Sequence, residues 1–365
     1  MSALLKNTTL LAVGDIMLGD SPVCYGFGVG SMIEKYGSNY PFQHIAEELN
    51  KGDIVIGNLE VVISAFNKQI DNFESIQFRG QPEAIHGLVE SNFNIVALAS
   101  NHTMQHGRKG LEETIDILNE NNIGFTGIEI PEKQVRNQYF MEKNGLKFCF
   151  LGYNFRPQQY FKDPPLWNKP SLELIKDEIC KVRDLADCVV ITLHWGDEFI
   201  EYPSYQQVNL ARQLIDSGAN IILGHHPHII QGVEKYNGGV IAYSLGNFIF
   251  DMWQKRLRKT MILKCIISKK AEIDFQIIPI EINNKYQPQI VHGQAGEILK
   301  QELEKLSLKI SNNSTDNDNY NSELNKNTKL FRREIYLHYL YHLHKYGVRP
   351  LIGNLLNAMK KRLIK

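Results

Sequence analysis

Residues 221–228 read Ile-Ile-Leu-Gly-His-His-Pro-His, a short apolar run followed by three imidazoles. Such a run is typical of a strand buried inside a sheet. Imidazoles at the end of a buried strand are positioned as metal ligands. Proline fixes its own φ and favours an extended residue before it, which predicts a stiff, splayed arrangement of His226 and His228. The stretch therefore predicts a strand that ends at a site for one or two cations.

Other apolar runs also end in polar residues, and helical patterns lie between them. The further apolar runs are residues 10–13, 54–56, 95–99, 188–193 and 240–243. The helical patterns are residues 41–50, 82–91, 111–121, 171–185 and 204–216. Strands alternating with helices predict an α/β layered fold, in which ligands bind beyond the carboxyl ends of the strands. Residues 260–268 and 272–282 predict a β-hairpin that completes the sheet or packs beside it.

The polar residues after these runs are expected to meet at one rim. They are Asp15, Asn58, Glu60, Asn101, His102, His194, His225, His226, His228 and Asn247. Carboxylates together with imidazoles suit Zn²⁺, Mn²⁺ or iron, and a carboxylate that can bridge suits two such ions. A metal ion makes bound water acidic enough to supply hydroxide near neutral pH, and a nearby imidazole can donate a proton. The rim predicts a binuclear hydrolytic site.

Several rim residues also have a purely structural interpretation when taken alone. Asp15 can cap a following helix, and Glu60 can form a salt bridge. Asn101 and His102 can end a strand and cap the next helix, while His194 can be a half-buried histidine with satisfied hydrogen bonds. Burying three imidazoles without partners costs several kcal/mol. The joint occurrence of these residues at strand ends therefore favours metal binding.

The composition is that of an ordinary soluble globular protein, with 365 residues, 43% hydrophobic and 22% charged. Lys plus Arg equals Asp plus Glu at 40 each, so no overall field favours nucleic acid. The five cysteines are scattered without a CxxC pair, which is typical of reduced thiols in a cytosolic protein. Neither a secretory signal nor a run of about eighteen apolar residues is present. We therefore expect a cytoplasmic protein.

The residues after 290 differ in composition from the rest. Residues 311–322 are rich in Asn, Ser and Asp, which predicts a flexible linker between a domain at 1–290 and an extension at 323–365. From Lys326 to the end, ten Lys and Arg residues accompany one acid, Glu334. A basic helix with apolar residues suits peripheral contact with an anionic membrane. Docking of this helix on its own domain or on a dimer partner is the alternative.

Six motifs, in chain order, resemble one known family. They are GDIMLG at 14–19, NLE at 58–60, NH at 101–102, HWGDE at 194–198, GHHPH at 224–228 and YSLGNF at 243–248. Over residues 8 to 252 the chain resembles the CapA family, associated with bacterial poly-γ-glutamate capsule synthesis. That family looks like a divergent branch of the calcineurin-like metallophosphoesterases. The resemblance implies a four-layer αββα sandwich with a binuclear site, here followed by a helical C-terminal extension.

The resemblance also implies a role for each rim residue. The implied metal ligands are Asp15, Glu60, Asn101, His194, His226 and His228. Asp15 would bind the first metal, and Glu60 would stand where the superfamily has a bridging Asp. Asn101 and His194 would hold the second metal, and His102 would be the leaving-group acid or phosphate stabiliser. The residues expected to orient ligands or bind substrate are Asn58, His225 and Asn247, with His225 also a competing ligand.

Two departures from the family patterns bear on activity. The superfamily's first motif is Asp-x-His, but Met17 occupies the His position here, and its thioether is a poor ligand for a hard metal. The CapA branch usually has an Asp soon after Asn-His, where this chain has Gln105. The first departure puts ordinary phosphatase activity in doubt. The second predicts that no carboxylate orients His102.

The sequence thus predicts a metal-dependent hydrolase, phosphoesterase-like, in capsule, exopolysaccharide or poly-γ-glutamate biosynthesis. Its cofactor would be two divalent ions of Mn, Fe or Zn, and its substrate an anionic small molecule or polymer. Capsule-synthesis proteins would be its partners, in the cytoplasm or at the inner face of the membrane. The alternative is a non-catalytic metal-binding accessory protein that holds an anionic polymer or a partner.

Overall fold

Two β-sheets form the centre of the molecule. The structure is a computed structural model, and it describes residues 7–69, 72–157, 170–311 and 317–345. The strands are β1 (Thr8–Ile16), β2 (Ile54–Leu59), β3 (Val62–Ile63), β4 (Arg79–Gly80), β5 (Ile95–Ala97), β6 (Gly124–Thr126), β7 (Tyr139–Lys143), β8 (Leu146–Asn154), β9 (Cys188–His194), β10 (Ile221–His225), β11 (Val233–Tyr236), β12 (Gly239–Ala242), β13 (Asn247–Ile249), β14 (Lys259–Ile267), β15 (Ile273–Ile282) and β16 (Pro288–Ile290). The first sheet has the order β16-β15-β14-β1-β2-β5-β6, with β13 also paired to β1, and the second has the order β11-β12-β10-β9-β8-β7.

The inner faces of the two sheets share one hydrophobic core. Side chains alternate between the two faces of a strand. Leu10 of β1 therefore packs in the same cluster as Phe150 of β8, whereas their neighbours Leu11 and Leu151 pack in two separate outer clusters. Both sheets are thus apolar on both faces, which is why their strands appear in the sequence as continuous apolar runs.

Helices cover the two outer faces. The helices are α1 (Val29–Tyr36), α2 (Ala46–Leu49), α3 (Phe73–Ile76), α4 (Ile85–Glu90), α5 (Gly107–Glu120), α6 (Leu172–Val182), α7 (Tyr205–Asp216), α8 (Gly293–Ser311) and α9 (Asn317–Tyr341). Leu111 of α5 packs in the cluster of Leu11, on the outside of the first sheet. Ile179 of α6 and Leu214 of α7 pack with Leu151, on the outside of the second. The layers are therefore helix, sheet, sheet and helix, and the predicted αββα sandwich is confirmed.

The pairing of the strands brings their polar ends to one side. β1, β2 and β5 pair in parallel in the first sheet, and β8, β9 and β10 pair in parallel in the second. The predicted hairpin is β14 and β15, which extends the first sheet beside β1. β7 and β8 form a second hairpin that the strand pattern did not predict. The predicted helix 41–50 is wrong in extent, because Pro41 and Phe42 are buried in a 3₁₀ turn and only α2 is helical.

Two helices follow the last strand. Leu299 and Leu303 of α8 pack in the core between the sheets, so the packed body extends past residue 290. Of the predicted linker, residues 312–316 lie outside the described residues, and 317–322 are helical because they begin α9, where buried Tyr320 contacts the body. The predicted basic helix is present as α9, while residues 346–365 lie outside the described residues. The division into domains at 290 and 323 stays a prediction.

Two buried aspartates, Asp20 and Asp251, lie close to Gly28, the residue before α1. A Cβ placed on Gly28 would lie 2.2 Å from Asp251 Oδ2 and 2.7 Å from Asp20 Oδ1, so both carboxylates approach this glycine. Asp20 accepts hydrogen bonds from Gly26 N and from Ser31. Asp251 is fully buried, and its Oδ1 has no hydrogen-bond partner in the part of the chain described. Burial, together with the charge of Asp20, raises the pKa of Asp251 to about 7.

Asp251→Asn is expected to stabilise the protein, and the gain in unfolding free energy should be about 2 kcal/mol larger at pH 8 than at pH 5. The carboxyl has a higher pKa in the folded chain than its usual value of 3.8, so the native protein loses stability as the pH rises from 3.8 to about 7. Asparagine resembles the protonated form and escapes this loss. Urea unfolding at both pH values measures the difference, with Asp274→Asn on the exposed side of β15 as control. An equal effect at the two pH values would contradict the prediction.

Candidate metal centre

Strand ends from both sheets meet at one rim. In the first sheet Asp15 is level with Asn58 and Asn247, and in the second His225 is level with His194. The ten residues predicted for the rim are all buried, and none is more than 7% exposed. Such complete burial of carboxylates and imidazoles requires partners or a cation to compensate for lost hydration.

A register shift in β1 turns Asp15 toward the other sheet. Ala12 is paired with Ile56 and Asp15 with Asn58, so β1 has one residue more than β2 over this stretch. With regular alternation Asp15 would follow Leu11 and Val13 to the outer face. The extra residue is a β-bulge, which reverses the alternation and aims the carboxylate between the sheets. Gly14 lies in the bulge because a Cβ there would be 1.9 Å from Gly246 O.

The carboxylate of Asp15 is surrounded by donors. Asn58 Nδ2 donates to its Oδ1 over 2.9 Å, and His226 N donates to its Oδ2 over 3.3 Å. His225 Nδ1 lies 3.2 Å from Oδ1, and His228 Nδ1 lies 3.4 Å from Oδ2. Burial acts to raise the pKa of Asp15, but these two imidazoles outweigh it and hold the pKa well below its usual value. Asp15 is therefore an anion in the folded protein.

Glu60 has no such donors, although it is fully buried directly after β2. Neither of its carboxylate oxygens has a hydrogen-bond partner among the described residues. Oε1 lies 3.8 Å from His228 Nε2 and 3.9 Å from His194 Nε2, too far for hydrogen bonds. Burial and the charge of Asp15 raise the pKa of Glu60 well above its usual value. A carboxylate in this position is compensated best by a cation.

The potential ligands form three groups, two of which share Glu60. In the first, atoms of Asp15, Glu60 and His228 lie within 4.8 Å of one another, and in the second the same holds for Glu60, His194 and His226. Both ring nitrogens of His226 are buried without a hydrogen-bond partner in the described chain. Burial lowers the pKa of His194 and His226 well below the usual value, so both are neutral, the form that binds metals. These unpartnered atoms fit divalent cations.

Asn101 extends the second group. Its Oδ1 lies 2.8 Å from His194 Nε2. Two ligands of one cation, each about 2.1 Å from it and at a right angle, lie about 3 Å apart. The spacing therefore suits either a hydrogen bond or shared coordination. Neither Asn101 nor His102 caps α5, whose N-cap residue is His106, and Asp15 precedes no helix before α1.

Asn247 fixes the orientation of His228. Its Nδ2 donates to the carbonyl oxygens of His228 and Leu257, which leaves Oδ1 facing His228 Nδ1 at 2.9 Å. Because an amide oxygen only accepts, Nδ1 carries a proton and Nε2 is directed toward Glu60. Burial opposes protonation, but the charges of Glu60 and Asp15 raise the pKa of His228 to about 10. The surroundings of this ring therefore favour positive charge.

The turn that holds the imidazoles differs from the prediction. His226 has φ 94° and His228 has φ 57°, so neither is extended, although Pro227 lies between them. Residues other than glycine rarely adopt such backbone angles, which cost about 1–3 kcal/mol each. The angles direct both rings back toward Asp15 and Glu60, where an extended chain would separate them. The predicted extended conformation is wrong, and contacts with the rim explain the difference.

Gln105 takes the position of the expected carboxylate beside His102. Its Oε1 lies 2.6 Å from His102 Nδ1, which places the ring proton on Nδ1 and leaves a lone pair on Nε2. Burial lowers the pKa of His102 to about 4. The Phe78 ring covers the imidazole at a centroid distance of 4.4 Å. In this form Nε2 accepts a proton, so His102 must first take up a proton before it can act as an acid.

Met17 and Glu198 change the ligand set expected from the family motifs. Met17 packs in the outer core, pointing away from the rim, so this position offers no ligand. His225 lies beside Asp15 but in none of the three groups of close ligand atoms. Glu198 joins the third group, with His226 and His228. Its position three residues after the buried Trp195 gave no sign of this, because the intervening loop sets its direction.

The sequence of this chain matches that of a known protein family. Residues 9–252 match the family described as bacterial capsule synthesis protein PGA_cap. The chain belongs to this family. Capsule biosynthesis protein CapA of Bacillus anthracis is 30% identical over 288 residues, which cover 76% of this chain and 68% of that protein. PGA biosynthesis protein CapA of Bacillus subtilis (strain 168) is 32% identical over 277 residues, or 74% and 70% of the two chains.

A solved structure described as a novel phosphatase of Mycoplasma pneumoniae has a TM-score of 0.46 and 14% identity, over 76% of this chain and 94% of that one. The family match and the two CapA relatives confirm the resemblance read from the six motifs. Within the described residues, no helix is long and apolar enough to cross a membrane. Membership of the capsule family thus rests on the sequence match over residues 9–252 and on the two CapA relatives.

Gly14→Ala is expected to destabilise the protein by about 3 kcal/mol and to lower metal affinity at the same time. The new methyl would collide with Gly246 O, and relief of the collision must displace the bulge that aims Asp15. Thermal unfolding with and without added Mn²⁺ measures both effects. Gly80→Ala is the control, because its Cβ would meet nothing closer than 3.4 Å. Wild-type stability and metal response in Gly14→Ala would disprove this account of the bulge.

Proposed function

We propose that this chain is a metal-dependent, phosphoesterase-like hydrolase of capsule or poly-γ-glutamate biosynthesis, with two divalent ions of Mn, Fe or Zn. The observation that carries the proposal is the pair of ligand groups sharing Glu60, whose buried oxygens have no other partner among the described residues. The names of the two CapA relatives supply the setting of capsule and PGA biosynthesis.

The residues divide into holding, orienting and proton-moving roles. Asp15 and His228 would hold one ion, His194, His226 and Asn101 would hold the other, and Glu60 would contribute to both. Divalent ions supply Lewis acidity toward a phosphoryl or carbonyl oxygen and make water acidic enough to react near neutral pH.

Asn58 and Asn247 orient Asp15 and His228 through the hydrogen bonds described above, and His225 lies beside Asp15 as a further imidazole. His102, held by Gln105, would move a proton at Nε2. The substrate is an anionic small molecule or polymer, and a phosphoester or an amide would suit this chemistry.

Metal binding is expected to stabilise the wild-type protein and not Glu60→Ala. At a free Mn²⁺ concentration of about 100 times Kd, the gain in unfolding free energy is about 2.7 kcal/mol. Differential scanning fluorimetry after chelation and reloading measures it, with elemental analysis for stoichiometry. Glu272→Ala, an exposed glutamate before β15, is the matched control and should respond as wild type. A chain that retains no stoichiometric metal and melts identically with chelator would refute the metal site.

His102→Ala is expected to lower kcat by about 10²–10⁴ on aryl phosphate esters or a γ-glutamyl anilide, with unchanged metal content. The variant loses proton transfer but keeps every ligand of the proposed ions. A colorimetric assay of the Mn²⁺-loaded protein measures the rate, and His86→Ala on the exposed side of α4 is the control. Equal rates in wild type and His102→Ala would remove the catalytic role of this residue.

A non-catalytic accessory role is the second candidate, favoured by the burial of the whole rim. Phe78 covers His102, and the Phe199 ring lies 6.4 Å from the His228 ring, so aromatic side chains close the site on two sides. The absence of a ligand at Met17 points the same way. Metal binding without turnover of any ester or amide, combined with retention of poly-γ-glutamate on the metal-loaded protein, would support this role over the hydrolase.

A further inference from the structure

One side of α9 packs on the loop that follows β9. Tyr320 OH donates to Asp197 Oδ2 over 3.1 Å, and Asn327 Nδ2 donates to Phe199 O over 2.8 Å. The rings of Phe331 and Phe199 lie 4.1 Å apart. This side of the helix is therefore fixed against the loop that carries Phe199 beside the candidate metal centre.

The same side of α9 continues along the loop after β13. The His338 ring stacks on Trp253 at 3.7 Å, and Arg256 Nη2 donates to Glu334 Oε2 over 3.2 Å. Glu334 is the acid found after Lys326 in the sequence, and this ion pair turns it toward the body. Glu334 is thus paired with Arg256 on the inward side of α9.

The exposed side of α9 carries several large apolar side chains. Its large apolar side chains are exposed by 40% to 77% and follow helical spacing along about 16 Å of the axis. They are Leu330, Tyr336, Leu337, Leu340 and Tyr341. Large apolar side chains grouped in this way on a soluble surface indicate a contact with another surface.

Basic side chains accompany this apolar surface. The exposed bases of the helix are Lys326, Lys329, Arg332 and Arg333. With Glu334 turned inward, no exposed acid lies between residues 324 and 345 of the described chain. Bases and large apolar side chains together on the exposed side of a helix suit contact with an anionic bilayer surface. We call this exposed side, residues 326–341, the outer face of α9.

We propose that the outer face of α9 docks on an anionic phospholipid membrane. Its apolar side chains enter the boundary between headgroups and acyl chains, while the four bases contact the acidic headgroups. Pairing of two copies through this face would bring like charges together, which favours lipid over a second copy. The docked helix then lies between the membrane and the Phe199 loop, so the candidate metal centre is held close to the bilayer surface.

Co-sedimentation of the full chain with vesicles tests the proposal without any substrate, so failure of the hydrolase proposal leaves it untouched. We expect binding to vesicles that contain phosphatidylglycerol, binding to pure phosphatidylcholine weaker by about tenfold or more, and weakening by salt. Leu330→Glu with Leu337→Glu should reduce binding by about tenfold or more. Leu185→Glu with Ile298→Glu, exposed apolar residues elsewhere, is the matched control and should bind as wild type.

Circular dichroism checks that α9 remains folded in these variants. If the double Glu variant unfolds, Lys329→Glu with Arg333→Glu tests the same face through its charge. Absence of binding to anionic vesicles would overturn the proposal, as would wild-type binding by both face variants. Loss of binding on deletion of residues 346–365, with binding intact in the face variants, would assign the contact to the terminus instead. A dimer in solution that Leu330→Glu with Leu337→Glu dissociates would assign the face to a second copy.

Discussion

The face-to-face packing of the two sheets is the constraint on which the rest of the structure depends. Because Leu10 and Phe150 pack in one core, the strand ends of both sheets come to the same buried rim. Water cannot compensate for charged groups there, so each must find a partner inside the protein. Asp15 finds donors, whereas Glu60 finds none among the described residues. That imbalance is the physical reason to place a cation at the rim.

The protonation states of the rim residues also favour a cation there. Asp15 is held as an anion, and the pKa of His228 is raised by the two acids near it, so the region favours positive charge. His194 and His226 are kept neutral by burial and can offer lone pairs. An anionic pocket with neutral imidazoles suits a divalent ion better than it suits an anion. The substrate's negative charge would then be met by the metal and not by a basic pocket.

The local pattern predicted an α/β layered fold and the rim, and the resemblance to the family supplied the four-layer sandwich. Apolar runs that end in Asp15, Glu60 or His194 are visible without knowledge of the partner strand. The direction of Asp15 is not, because the bulge depends on how β1 pairs with β2. The positive φ of His226 and the contact of Gln105 with His102 arise from tertiary contacts that override local preference. α9 was predicted as a basic helix, but which side faces the body depends on residues distant in sequence, such as Asp197 and Arg256.

The potential ligands at the rim come from both halves of the chain, with Asp15 and Glu60 from the first sheet and His194, His226 and His228 from the second. An ion held by all of them is a cross-link that closes a loop of about two hundred residues, comparable in effect to a disulfide between the sheets. Neither half alone has the complete set. Capture of an ion would therefore depend on the packing of the two sheets, and its loss would loosen this end of the sandwich.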